Sequence, residues 1–76
     1  MDFNIFCKLD ECVANYTSSY VFGNNTKELC LQLIADVTDE DKERMLNDFD
    51  LIIPSHIIFP HTYENGRMTV LFKEVI

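Results

Sequence analysis

Tryptophan is absent from this 76-residue chain, and glycine and proline occur only twice each. Two glycines leave neither a glycine-rich metal knuckle nor an oxyanion loop. Lysine and arginine together number six against thirteen acids, a formal net charge of −7. Binding to a phosphate backbone runs on cationic side chains, so direct nucleic-acid binding is not expected. No window approaches the roughly 18 apolar residues of a membrane span. The opening "MDFNIFCKLD" has no secretory apolar core. Three cysteines (Cys7, Cys12, Cys30) are an odd number, which fits reduced thiols in a cytoplasmic protein better than a disulfide framework.

What is present is apolar. Hydrophobic residues make up 47% of the chain, including six Phe and three Tyr. That is enough for one small core, and the expected organisation is a single domain over residues 1–76. A chain this short buries only about 60% of its unfolded surface, so its stability is narrow. The charge is uneven. Residues 39–50 hold six acids against two bases, whereas residues 51–76 hold two of each. Acidity is a feature of the middle, and the last third is neutral and greasy.

Phe3, Ile5, Cys7 and Leu9 alternate with Asn4, Phe6 and Lys8, a half-buried strand pattern. Residues 12–22 fit two readings: Val13, Tyr16 and Tyr20 suit a helix face between an Asp10 cap and Gly23, while the Tyr, Thr, Ser, Val and Phe content favours a strand over 15–22. Thr26 is a good helix N-cap for "KELCLQLIADV", where Glu28, Gln32 and Asp36 recur every four residues. This predicts a largely buried helix centred on Leu33. Thr38 caps a second helix, "DEDKERMLNDF", with Met45, Leu46 and Phe49 inward. Asn65-Gly66 marks a hairpin turn, because both residues tolerate positive φ. A two-residue loop would set Pro60 against Leu71 in a hydrogen-bonded pair, and proline has no N–H to give. A three-residue loop with a Gly66 bulge is therefore the preferred register. It groups Ile57, Phe59 and Leu71 on one face, Ile58, Val70 and Phe72 on the other, and sets His56 beside Glu74. The fold expected is α+β: a small antiparallel sheet, made of the N-terminal strand and the C-terminal hairpin, packed on two short helices.

The reactive residue types do not assemble into a reaction motif. Cys7-x4-Cys12 and His56-x4-His61 have spacings that zinc ligands use, but the interval between the pairs is far longer than in a zinc finger. Cys12, the one thiol expected at a turn, follows two acids that oppose a thiolate. Asp39, Glu40, Asp41 and Glu43 match the macrodipole at a helix start, and lack the glycine and distant Glu of a calcium loop. Neither histidine has a nearby Ser or Cys in a triad pattern. No enzyme activity, metal or cofactor is expected.

The function expected is a non-enzymatic protein-binding module, an inhibitor or modulator of a larger machine of the bacterial or phage accessory type. Its anchors would be Ile57, Phe59, Tyr63 and Leu71, with Asp39, Glu40, Asp41 and Glu43 steering a basic partner. A homodimer is a second way to cover the apolar hairpin. Two alternatives stand beside this reading: an acidic nucleic-acid mimic that blocks a DNA- or RNA-binding protein, and a small zinc-binding domain.

Overall fold

The computed structural model describes residues 2–25 and 30–75. Within them the chain runs α1 (Phe3–Ala14), β1 (Tyr20–Asn25), β2 (Cys30–Asp36), α2 (Asp39–Ile52), β3 (Ile57–Ile58), β4 (His61–Glu64) and β5 (Arg67–Glu74). The class is the α+β one expected, with both helices against an antiparallel sheet. Strand order is β1-β2-β5-β3, and β4 pairs with β5 on the β3 side.

The first element is a helix, not the expected strand. The alternation of Phe3, Ile5, Cys7 and Leu9 belongs to a longer series in which Ile5, Leu9, Cys12, Val13 and Tyr16 share one side at helical spacing. Leu9 and Val13 are fully buried and Cys12 nearly so. Asp2 begins the helix by accepting from the Asn4 N–H at 2.8 Å. Asp10 and Glu11 lie within the helix, off its buried stripe. Strand structure begins only at Tyr20, later than the expected start at residue 15.

The second correction is β2, expected as the central helix. A spacing of four is a multiple of two as well as close to one helical turn. Polar residues four apart therefore line one face of a strand equally well. Leu31, Leu33 and Ala35 point inward and are buried, while Gln32 and Asp36 are exposed on the other face. Thr26 as a cap lies outside the described residues. Leu33 is nevertheless central to the core, with no exposed surface.

The acidic helix forms as read. The Thr38 hydroxyl accepts from the Asp41 N–H at 3.2 Å, and Asp39, Glu40 and Asp41 occupy the first turn. Thr38→Ala should lower stability by about 1 kcal/mol, seen as a lower urea midpoint with an unchanged slope.

The hairpin keeps the register that was disfavoured. Glu64 pairs with Arg67, Tyr63 with Met68 and His61 with Val70, around Asn65 at φ 54° and Gly66 at φ 77°. This is a two-residue turn with both central residues left-handed. The same register continues to Ile58–Lys73 and Ile57–Glu74, and the Val75 N–H reaches the His56 carbonyl. Pro60 does sit opposite Leu71, and supplies the carbonyl half of that pair (Leu71 N–H to Pro60 carbonyl, 3.0 Å). A proline next to an edge forfeits one ladder bond, which is less costly than a bulge that would turn the preceding apolar side chains away from the core. His56 accordingly lies beside Val75 and not Glu74.

The core fills the space between helices and sheet. Phe49 of α2 meets Phe72 of β5 edge-on at 5.2 Å and Phe59 at 6.1 Å. At the other end Phe6 of α1 tilts on Phe22 of β1 at 5.4 Å. Thus α1 covers the β1 side of the sheet, and α2 covers β5 and its β3–β4 neighbour.

Candidate functional site: the open sheet face

The register decides which side chains face solvent. With Ile57 opposite Glu74 and His61 opposite Val70, Ile57, Phe59 and Tyr63 share the inner face with Met68, Val70 and Phe72. Leu71 lies on the outer face. The expected grouping of Ile57, Phe59 and Leu71 is therefore corrected, and so is that of Ile58 with Val70 and Phe72.

The four expected apolar anchors separate accordingly. Ile57 is 4% exposed, a core residue. Phe59 is half-buried against Phe49 and Phe72. Tyr63 is half-buried too, its hydroxyl donating to the Val37 carbonyl at 3.1 Å and its ring under the Lys42 ammonium at 5.0 Å. The nearby Asp39 carboxylate raises the pKa of that hydroxyl. Leu71 alone of the four faces outward.

Its neighbours were not foreseen. Across the outer face, Val21 pairs with Ile34 and Ile34 with Thr69; Gln32 pairs with Leu71; and Ile58 extends the row beyond Lys73. Val21 is 63% exposed and Ile58 49%. No described helix lies over this side. A shallow hollow lined by Gln32, Pro60, His61, Thr62, Thr69 and Leu71 runs along it. The charges on this face are Asp36, Glu64, Arg67 and Lys73, two of each sign, and Arg67 pairs with Asp36 at 3.2 Å. The two-residue Asn-Gly loop was the signal that would have found the face, since it alone sets the parity of Ile58, Thr62 and Leu71.

The helical layer is the opposite in charge. Residues 2–14 and 39–52 carry nine acids against three bases. Asp39, Glu40 and Glu43 are exposed and Asp41 partly so, on the side of the molecule away from Leu71. The expected acidic and apolar halves of one binding surface therefore sit on different sides.

The thiols and imidazoles are dispersed. Cys7 and Cys12 are five apart on one helix, about 140° around its axis. Cys12 is buried, and burial together with the Asp48 carboxylate pushes its thiol up to about 11, away from the thiolate a nucleophile or ligand needs. Cys30 is buried in β2. His56 and His61 are both exposed and, five apart along an extended segment, face opposite sides. No group of three or more His, Cys, Asp or Glu gathers in metal-ligating range among the described residues. No described helix is long and apolar enough to cross a membrane.

Two of the three tyrosine hydroxyls are tied to an aspartate. Tyr16 bonds Asp48, joining the end of α1 to α2, and Tyr20 bonds Asp10, joining β1 to α1. Donation to the carboxylate is the main cause that raises both pKa values, Tyr16 to about 12. These bonds tie both helices to the inner face of the sheet and to each other.

Comparison with family models, with curated proteins and with solved structures found no match to this chain.

Proposed function

We propose that the chain is a non-enzymatic protein-binding module, a small inhibitor or modulator of a larger machine, that docks a partner protein on the outer face of its sheet. The observation that carries this reading is the contrast between the two sides. Val21, Ile34, Ile58 and Leu71 lie on a face with balanced charge, while the acids crowd the helices. An apolar patch interleaved with Gln32 and Thr69, and bordered by Thr62 and the Asp36–Arg67 pair, has the make-up of a protein interface. Aliphatic side chains standing out from a flat sheet give such a face contact area at little entropic cost, because the strands already hold them.

The acidic helix supports a second reading. Asp39, Glu40, Asp41 and Glu43 project carboxylates from the first turn of α2, and a row of such charges could occupy a basic groove in place of nucleic-acid phosphates. The two readings differ in salt dependence, since exposed ion pairs fade beyond a Debye length of about 8 Å at physiological ionic strength.

The test is affinity capture from the native cell with the wild-type chain as bait, repeated with Ile58→Lys/Leu71→Gln and with Asp39→Asn/Glu40→Gln/Glu43→Gln. A partner held at high salt, and weakened at least about tenfold by the first variant alone, is the expected result. A partner released by salt and lost only with the second variant would overturn it in favour of the nucleic-acid mimic.

A further inference from the structure

The two edges of the sheet are unequal. On the β3–β4 side the strands are two and four residues long, the Ile57 N–H is already bonded to the Pro54 carbonyl, and Glu64 adds a charge. Short strands, prolines and charges are the devices that protect sheet edges from unwanted pairing. The β1 edge has none of them. Tyr20–Asn25 is a six-residue strand without charge or proline, and its pairing with β2 is unbroken.

Backbone phase shows what this edge offers. The bond from the Leu71 N–H to the Pro60 carbonyl directs the odd residues of β5 toward β4, so its even residues bond β2. Carried across β2 by the printed pairings, the alternation makes Val21 and Gly23 bond β2. Tyr20, Phe22 and Asn24 then aim their N–H and carbonyl groups away from the sheet.

We infer that β1 pairs antiparallel with β1 of a second copy, Phe22 opposite Phe22, joining two sheets into one. This register is self-complementary. Tyr20 meets Asn24 of the second copy, and the outward backbone groups exchange bonds on both sides of the axis. Shape agrees. Val21, 63% exposed, comes to lie over Gly23 of the second copy, where a Cβ would meet nothing within 4 Å. The aromatic row Tyr20, Phe22, Phe6 and Phe3, whose last ring is 74% exposed, meets its counterpart across the junction. The larger share of the acids stays apart: six of the nine in the helical layer lie on residues 39–52, against three acids and one lysine on residues 2–14 over β1. The acid-rich α2 packs over β5, so two copies joined at β1 hold their α2 helices apart by five strand spacings, about 24 Å, or some three Debye lengths. The outer faces of the two sheets become one broad surface.

Sedimentation velocity of the full chain in reducing buffer, over a concentration series, tests this. The expected result is a reversible dimer. Asn24→Pro removes one outward N–H per copy and no N–H bonded to β2, and should raise the dimer Kd about tenfold or more. Val21→Lys sets two like charges beside the axis and should act in the same direction. Circular dichroism identifies which variants keep the fold; if Asn24→Pro does not, Val21→Lys decides. A chain that stays monomeric at every concentration, or a Kd unchanged in the folded variants, overturns the inference. Leu71→Gln should leave the Kd unaltered while weakening partner capture, which separates this inference from the proposed function; a Kd raised by Leu71→Gln would place self-association on the outer face and overturn the β1 pairing.

Discussion

Phe49→Ala should be the most destabilising single truncation in the core. Phe49 has no exposed surface and is the ring through which α2 holds the sheet, edge-on to Phe72 at 5.2 Å and to Phe59 at 6.1 Å. Removing a buried phenyl ring costs about 3–5 kcal/mol, the transfer of its atoms plus the cavity left behind. A chain of this length has about 4–11 kcal/mol in total, so the loss consumes from about a quarter to all of it. Near-ultraviolet circular dichroism and urea titration would register this as a weakened tertiary signal and a markedly lower midpoint. Phe49→Leu, which refills most of the space, should fall between. Cooperative unfolding of the alanine variant within about 1 kcal/mol of wild type would mean that α2 does not seat on the sheet as described.

Alkaline pH should be the second large perturbation. The Cys12 thiol rises from 9.0 to about 11 through burial and then through the Asp48 carboxylate, and Tyr16 rises from 10.0 to about 12 chiefly by donating to that same carboxylate. Both groups hold their proton more tightly folded than unfolded. Their contribution is therefore complete below pH 9 and is lost as pH climbs, between 9 and 11 for Cys12 and between 10 and 12 for Tyr16. For the buried thiol this amounts to about 2–3 kcal/mol. Urea midpoints measured from neutral pH upward should start to fall near pH 9. Asp48→Asn removes the charge common to both groups, so the variant should begin less stable but decline less steeply. A flat wild-type profile through pH 11 would contradict the packing of Cys12 and Tyr16 around Asp48.

Neither effect depends on what the protein binds. Both follow from the inner face, the one the helices cover. The binding predictions rest on the outer face and on the free edge of β1, so core and surface can be probed apart. Phe59 illustrates the division. Expected as an anchor, it rests on Phe49 and Phe72, and its removal would report on folding before binding.

By themselves, the residues determined whatever a few neighbours can decide. Thr38 with three acids after it starts a helix wherever it is placed, since cap and dipole act within one turn. Asn65-Gly66 makes a tight turn because those two residues accept φ values that others resist. The acid-rich middle and the neutral, apolar last third are also properties of the string of letters. Tertiary structure decided between helix and strand for residues 3–14 and 30–36, since the apolar positions of both segments satisfy either period over a short window and burial against partners distant in sequence selects one. It also decided which side of the hairpin is covered. Local cost favoured a bulge at Gly66 to spare Pro60; the fold gave up that ladder bond because only the tight register keeps Ile57 in the core and Phe59 against Phe49 and leaves Leu71 outside.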